Sequence, residues 1–166
     1  MAGRFGGLYG GNIKRSGKKI DFFAIDNFTA VGSKPHLRAE AAKFGADFYQ
    51  AFCDNVKKCR VAKYVRPLRG DSTAMAFQFF DESVDFVFID ACHEYRKVKS
   101  DLLAWTPKVK GNGVISGHDY DDSHGGVVKA VNEVFGKDAV KILGNSWIFQ
   151  KQACKGVWWP NAQCIR

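Results

Sequence analysis

Short apolar runs, rich in aromatic and β-branched residues, alternate with segments of helical periodicity along most of this sequence. The runs cover residues 20–26, 62–68, 83–90 and 114–117. Between and after them, apolar residues recur at three- and four-residue steps over 48–56, 95–105 and 125–135. Parallel strands need a crossover connection, usually a helix, so this alternation is typical of a parallel sheet. The pattern predicts an α/β domain with a mostly parallel sheet.

The last part of the pattern differs, because two short β-prone runs follow each other without a helix between them. They read AVKIL and SWIFQK and meet at the turn residues GNS, within residues 139–151. Such a pair predicts an antiparallel hairpin at the end of the sheet. Since no repeat or linker interrupts the 166 residues, we predict a single domain over residues 1–166.

The composition narrows the class of protein. No apolar run reaches the roughly 18 residues that a membrane-spanning helix needs, and the N-terminus lacks the layout of a signal peptide. The five cysteines show neither a C-x-x-C pair nor zinc-ligand spacing, which favours reduced thiols over a bridge between Cys154 and Cys164. We therefore expect a soluble, cytoplasmic protein with no membrane partner.

The formal net charge of +8 would attract anionic partners such as nucleotides or nucleic acid. The basic residues are scattered, however, apart from the small clusters KRSGKK and KKCRVAKYVRPLR. Scattered lysine and arginine are common where helices and strands meet solvent. Nucleic acid is therefore not a favoured partner.

Acids and histidines stand where the predicted strands end. In chain order they are Asp26, Asp71, Asp90 and the pair His118 and Asp119. Ligands of open α/β sheets bind outside the carboxyl ends of the strands, so these side chains are candidates for one binding site. Each aspartate alone has another explanation, because aspartate is also favoured in turns and at helix N-termini.

Two kinds of chemistry fit these residue types. An acid at the position of Asp26 can accept hydrogen bonds from ribose hydroxyls, while Asp71 fits either an adenine amino group or a helix cap. Asp90, His118 and Asp119 offer oxygen and imidazole ligands for a divalent metal, with Mg²⁺ or Mn²⁺ preferred.

His93, three residues after Asp90, is a candidate general base, because imidazole changes its charge near neutral pH. The alternative is a histidine at the start of a helix whose ring is satisfied by the backbone.

The stretch DFVFIDACHEYRKVKSDLLAWTPKVKGNGVISGHDY, followed by GGVVKAVNEVF, resembles the Rossmann-like (class I) S-adenosylmethionine-dependent methyltransferases. The similar branch holds small-molecule O-methyltransferases related to enzymes of macrolide and aminocoumarin sugars. In that branch one strand ends in Asp with His a few residues on, and another ends in HDY or DDY. The segment IDNF also resembles the branch's second strand, whose acid holds the ribose. The resemblance covers about residues 20–151 and implies a Rossmann-like sandwich.

The resemblance also implies a role for each candidate residue. S-adenosylmethionine is the implied cofactor, with Asp26 and Asn27 at its ribose and Asp71 and Ser72 by its adenine. Gly3 would belong to the remnant of the glycine-rich cofactor motif.

The same resemblance makes Asp90 a metal ligand or base and puts His93 beside the substrate. His118 and Asp119 would lie at the metal or acceptor site.

One feature of the family is missing from this sequence. The first strand, which ends in an acid-x-glycine run and lies centrally beside the second and fourth strands of the family fold, is not found. Residues 1–18 resemble the end of that motif and the helix after it. Because glycine disfavours helix, we expect this segment to be loose or docked on a partner. The apolar, Trp-rich tail at 152–166 either forms a homodimer contact or packs back on the domain.

These observations leave two classes of function. The leading hypothesis is an S-adenosylmethionine-dependent O-methyltransferase of a small-molecule acceptor, with or without help from a metal such as Mg²⁺. The alternative is a degenerate or truncated methyltransferase fold that serves as a non-catalytic binding or assembly module. A nucleic-acid-modifying enzyme is disfavoured, since no NPPY-like acceptor motif occurs.

Overall fold

A computed structural model describes residues 2–29, 39, 42 and 48–153, with side chains from residue 9 onward. Internal contacts divide the chain into two compact units, Met1–Met75 and Ala76–Arg166. The expectation of one domain over residues 1–166 stays a prediction. Each unit is built around its own hydrogen-bonded sheet.

The first unit contains a two-stranded parallel sheet, and in the sequence a helix precedes its strands, another lies between them and a third follows them. Its elements are α1 (Ala2–Ser16), β1 (Phe23–Asp26), α2 (Tyr49–Lys58), β2 (Arg66–Arg69) and the start of α3 (Ser72–Ala76). Phe23 pairs with Arg66 and Asp26 pairs with Arg69, so both strands end at the same edge. Pro67, which has no N–H to donate, is tolerated in β2 because β2 is an edge strand.

A compact apolar cluster holds the first unit together. Phe52 and Val56 lie one turn apart on α2 and therefore face the same side. They are buried with Phe28, Val61 and Val65. The helical periodicity predicted for residues 48–56 is confirmed.

The expectation of a loose N-terminal segment is wrong, because residues 2–16 form the helix α1 and α1 packs against α2. Gly10 explains how a glycine-rich helix gains from packing. A Cβ atom at Gly10 would lie 2.8 Å from Val61 and 2.9 Å from Val65. The absence of a side chain lets the backbone of α1 approach these valines closely, which compensates for the low helix propensity of glycine.

The second unit contains a four-stranded sheet in the order β3–β4–β6–β5. Its elements are β3 (Val84–Ile89), α4 (Tyr95–Trp105), β4 (Val109–Gly117), α5 (Gly125–Phe135), β5 (Lys141–Leu143) and β6 (Ser146–Gln150). β3 and β4 are parallel, whereas β6 is antiparallel to both β4 and β5. The predicted α/β class and the C-terminal antiparallel hairpin are confirmed.

The strand predicted at residues 83–90 exists, but it is not buried. None of its residues is fully covered, and Phe86 is 54% exposed. Among the described strands β3 pairs only with β4, so it forms an edge of its sheet.

β4 begins before the apolar run 114–117 and runs through the GNG segment at 111–113. The register shifts from Val84 opposite Val109 to Phe86 opposite Val114, and Asn112 takes a left-handed φ of 64°. The extra residues of β4 bulge from the ladder there.

The strand that the family resemblance leaves missing is not found among the described residues before β1, where only α1 occurs. β1 pairs only with β2 among the described strands, and β3 only with β4. These are the two strands beside which the family fold places its first strand.

The remaining expectations concern membrane-spanning helices, the cysteines and the C-terminal tail. No helix of the described part is long and apolar enough to cross a membrane. Cys53, Cys59 and Cys92 are free thiols. Cys154, Cys164 and most of the tail at 152–166 lie outside the described residues. The preference for reduced thiols over a bridge between these two cysteines, and the two alternatives for the tail, therefore stay predictions.

Candidate functional site

In the first unit, the acids at the strand ends are held by their own neighbourhood. Asp26 closes β1, and its Oδ1 accepts a hydrogen bond of 2.7 Å from the backbone N–H of Phe28. Asn27 does the same for Thr29 at 3.0 Å. The turn explanation for Asp26 is therefore realised. Asp26 is nevertheless exposed, and no described residue hydrogen-bonds its Oδ2.

Asp71 follows β2 and caps the helix α3. Its Oδ1 accepts a hydrogen bond of 3.1 Å from the backbone N–H of Ala74, and Ser72 is the first residue of the helix. The capping alternative for Asp71 is thus confirmed, while its contact with adenine stays a prediction. Gly3 lies in α1, and its place at the cofactor is likewise a prediction.

In the second unit, the parallel pairing of β3 and β4 brings the predicted metal ligands together. Ile89 pairs with Gly117, so Asp90 and His118 leave the sheet side by side. Asp90, His118 and Asp119 each offer one ligand atom within 4.8 Å of the others. Nδ1 of His118 lies 3.0 Å from Oδ1 of Asp119. The three side chains lie close together, as the sequence predicts, and their role in binding a metal stays a prediction.

His93 pairs with the same aspartate through its other oxygen. Nε2 of His93 lies 2.8 Å from Oδ2 of Asp119. The ring therefore has a side-chain partner, whereas the alternative of a histidine at a helix start had predicted a backbone partner. An ionised carboxylate only accepts hydrogen bonds, so this contact requires the proton on Nε2. In the neutral ring Nδ1 then carries the lone pair. No described residue hydrogen-bonds Nδ1, and the side chain of His93 is 43% exposed.

Asp119 holds this position in an unusual backbone conformation. Its φ is 60°, in the left-handed region that few residues other than glycine, asparagine and aspartate adopt readily. Its side chain is only 16% exposed. A largely covered carboxylate with its oxygens within 3.0 Å of two histidine rings is typical of a functional site.

The electrostatics of Asp90 also depend on this cluster. Although the residue as a whole is exposed, surrounding protein partly desolvates its carboxyl and raises its pKa, and the charge of Asp119 adds to the rise. His118 and His93 act in the opposite direction. A cation between the two carboxylates would favour the ionised form of both.

His124 is a member of the cluster that the sequence reasoning missed. Its ring packs edge-on against His93, with ring centroids 4.5 Å apart and an interplanar angle of 72°. Its Nδ1 lies 3.9 Å from Oδ1 of Asp119 and 2.9 Å from Oδ1 of Asp121. Its position just before α5, close after the HDY segment, was the available signal.

Asp121 fixes the ring of His124 and is fixed in turn. Its oxygens accept hydrogen bonds from the backbone and hydroxyl of Ser123 and from Asn145. The hydrogen bond from the Ser123 hydroxyl above all, and then the contact with His124, lower the pKa of the Asp121 carboxyl. The loop between β4 and α5 is thereby held in one arrangement.

The close approach of α5 to His93 requires a glycine at one position. A Cβ atom at Gly126 would lie 2.4 Å from the carbonyl oxygen of His93 and 2.9 Å from the backbone nitrogen of Tyr95. Any side chain there would push the start of α5 away. The residues around this point enclose a small depression lined by Asp90, Cys92, His93, His118, Asp119 and Trp147.

Carboxylates and imidazoles gather at the carboxyl ends of the parallel strands β3 and β4, where ligands bind in Rossmann-like α/β folds. Residues 10–120 match the protein family described as "Methyltransferase domain". The chain belongs to this methyltransferase family.

Solved structures share the fold at low sequence identity. The O-methyltransferase NovP is 18% identical with a TM-score of 0.66, and the match covers 89% of this chain and 66% of NovP. The apo structure of CalS11, a TDP-rhamnose 3′-O-methyltransferase of calicheamicin biosynthesis, is 16% identical with a TM-score of 0.56. That match covers 90% of this chain and 68% of CalS11. No curated protein matched the sequence. The chain thus has the Rossmann-like methyltransferase fold. It spans just under two thirds of the length of NovP.

Proposed function

We propose that this protein transfers a methyl group from S-adenosylmethionine to a hydroxyl oxygen of a small molecule. The observation that carries the proposal is the His93–Asp119 pair, with 2.8 Å between Nε2 and Oδ2, in a domain of the methyltransferase family. Such a pair leaves an imidazole nitrogen facing away from the carboxylate with a lone pair ready to take a proton.

The residues at the end of the first sheet fit the methyl donor. Asp26 is exposed, and its Oδ2 is open to hydrogen bonds from ribose hydroxyls while Oδ1 maintains the turn. Asn27 follows it, and Asp71 and Ser72 begin α3 at the same edge of the sheet. S-adenosylmethionine supplies an electrophilic methyl group on a sulfonium.

His93 would prepare the acceptor for the displacement. Its Nδ1 takes the proton of the acceptor hydroxyl, so that the oxygen attacks the methyl carbon as a stronger nucleophile. Asp119 accepts a hydrogen bond from the Nε2–H of His93 and stabilises the imidazolium that forms, as the aspartate does for the histidine of a catalytic triad. Asp119 holds the correct tautomer and orients the ring.

A divalent metal fits the neighbouring triad. Asp90, His118 and Asp119 combine two carboxylates and one imidazole within 4.8 Å, a donor set suited to Mg²⁺ or Mn²⁺. When bound there, the ion would polarise the acceptor hydroxyl and lower its pKa.

We also propose that the protein works in the cytoplasm, and that the tail at 152–166 makes a homodimer contact.

The proposal is tested first by binding and then by turnover. Calorimetry with S-adenosylmethionine and S-adenosylhomocysteine should detect binding, and Asp26→Asn should weaken it about tenfold or more, because a charged acceptor is lost while Oδ1 still holds the turn. Methyl transfer to a panel of sugar and phenol hydroxyls is then measured with and without EDTA and Mg²⁺.

The base is tested by His93→Gln, which should abolish transfer and leave donor binding unchanged. The absence of heat at millimolar donor would instead support the non-catalytic module. Transfer that survives in His93→Gln would contradict the role of His93 as base.

A further inference from the structure

Two different sets of metal-ligand atoms meet at one carboxylate in the second unit. The first is the Asp90–His118–Asp119 triad, and the second is formed by His93, Asp119 and His124, again with ligand atoms within 4.8 Å of one another. The sets share Asp119, whose Oδ1 lies 3.0 Å from Nδ1 of His118 and whose Oδ2 lies 2.8 Å from Nε2 of His93. We infer that His93, Asp119 and His124 form a second site, specific for a transition-metal dication such as Zn²⁺, whose occupation silences His93 as a base.

The donor set explains the choice of metal. Two imidazoles and one carboxylate suit Zn²⁺ and similar ions, whereas Mg²⁺ prefers oxygen ligands. In a tetrahedral zinc site the ligand atoms stand about 3.4 Å apart, from metal–ligand bonds of about 2.1 Å. Nε2 of His93 is 2.8 Å from Oδ2 of Asp119, and the ligand atoms of all three residues lie within 4.8 Å of one another. Closing the site therefore takes small side-chain movements.

The ligands of this second site are already held in place. His124 contacts Asp121 at 2.9 Å, and Asp121 is bound by Ser123 and Asn145. Asp121 contacts Nδ1 of His124, so Nε2 is the nitrogen left for the metal, and a carboxylate behind a histidine ligand orients the ring and strengthens metal binding. The close approach of α5 at Gly126 keeps His124 against His93.

Occupation of the site changes the tautomer of His93. Without metal, the Nε2–H of His93 donates a hydrogen bond to Asp119, and the lone pair of the neutral ring is on Nδ1. A metal on Nε2 displaces that proton, and the neutral ring then carries its proton on Nδ1. No lone pair is left for the proton of the acceptor hydroxyl. Zinc binding and base catalysis by His93 therefore exclude each other. This consequence for catalysis rests on the proposed function, but metal binding itself does not.

The binding experiment uses the full chain with Zn²⁺ alone and needs neither methyl donor nor acceptor. Zn²⁺ affinity is measured by competition with a chromogenic chelator. His124→Phe keeps an aromatic ring against His93 but removes the ligand atom, and it should weaken zinc binding about tenfold or more. Asp90→Asn removes a ligand that belongs only to the other triad and should change zinc affinity little.

A second readout does not depend on any variant folding. In the wild-type protein, nitrogen-15 NMR of the imidazoles should show the His93 proton move from Nε2 to Nδ1 when Zn²⁺ is added, and Mg²⁺ should not cause this shift. An unchanged His93 tautomer at saturating Zn²⁺ would overturn the inference. So would equal zinc affinities of His124→Phe and the wild type, or a loss in Asp90→Asn as large as that in His124→Phe.

The effect on turnover separates this inference from the proposed function. Zn²⁺ should inhibit methyl transfer by the wild type, and His124→Phe should need about tenfold more Zn²⁺ for the same inhibition. If no transfer occurs even without zinc, the proposed function fails, while the affinity and NMR results still decide the metal site. If transfer occurs and zinc inhibits both proteins equally, the second site is wrong.

Discussion

The ends of the two parallel strand pairs carry similar residues but use them differently. In the first unit, Asp26 and Asp71 bond to backbone N–H groups two and three residues further on. In the second unit, His93, Asp119 and His124 come from different loops and contact one another through side chains. The same position in a sheet therefore gives a local structural role in one case and a shared cluster in the other.

The difference has a physical consequence. A carboxylate that caps a turn satisfies one oxygen locally and leaves the other exposed, which suits binding to hydroxyl groups of a ligand. In the cluster, burial first and the charge of Asp119 second raise the pKa of the Asp90 carboxyl, while His118 and His93 lower it. Such coupling is typical of sites that move protons or bind metals.

Removal of one charge from the cluster should give the largest effect. Asp119→Asn keeps the shape and tolerates the left-handed φ of 60°, but it can no longer stabilise the His93 imidazolium. We expect kcat for methyl transfer to fall about 10²- to 10⁴-fold, measured by release of S-adenosylhomocysteine.

The matched control is Asp122→Asn, since Asp122 is exposed and contacts no described side chain. It should retain full activity. Equal rates for Asp119→Asn and the wild type would remove the distinction between the cluster and the local caps.

Two neighbouring glycines test whether the cluster depends on the approach of α5. Gly126→Ala places a Cβ atom 2.4 Å from the His93 carbonyl oxygen, whereas no described atom lies within 4 Å of a Cβ atom at Gly125. We expect Gly126→Ala to lower the free energy of unfolding by about 1–3 kcal/mol and Gly125→Ala to stay within about 0.5 kcal/mol of the wild type.

Urea denaturation measures both variants, and NMR of His93 shows whether the Asp119 contact is lost. If both substitutions have the same effect, the contact with His93 is not what requires glycine at position 126.

The local role of Asp71 should show a smaller effect. Asp71→Ala removes the cap on Ala74 and should lower the free energy of unfolding by about 1 kcal/mol, whereas Asp71→Asn keeps an acceptor oxygen and should lose less. Thermal denaturation of both variants makes the comparison. Equal losses in Asp71→Asn and Asp71→Ala would show that the charge of Asp71, not its cap, dominates stability.

The smallest effect is expected at the exposed link between α4 and α5. Hydrogen bonds from Lys99 first and Tyr95 second lower the pKa of Glu133 below its ordinary value of 4.5, and Glu133 raises the pKa of Lys99. A lowered carboxyl pKa adds stability above the unfolded pKa, and that stability is lost as pH falls through the folded pKa.

Glu133→Gln should therefore be slightly less stable than the wild type near neutral pH and equal to it in acid. Urea midpoints at about pH 7 and about pH 3 test this, with the exposed Asp138→Asn as control. A difference that persists at low pH would point to packing instead of charge.

Much of the fold could be predicted from local patterns. The helices α4 and α5, the strand β3 and the terminal hairpin match the predicted periodicities. The errors have tertiary causes. β3 is apolar, but its exposure depends on how many strands pair with it, which its own residues do not show. α1 was expected to be loose because of its glycines, but Gly10 serves close packing on Val61.

The candidate site was predictable to a similar extent. The carboxyl-end rule for parallel sheets located Asp90, His118 and Asp119 together without any coordinates. His124 escaped, because its approach to His93 depends on where α5 begins and on the absence of a side chain at Gly126.

The sequence by itself determined which segments are strands and helices and which polar residues stand at the strand ends, because periodicity and chain order are local properties. The local bonds of Asp26 and Asp71 were among the alternatives that the sequence offered, whereas only the tertiary structure decided that His93 and His124 share Asp119. That outcome depends on distances between separate elements, which are set by how closely their backbones can pack.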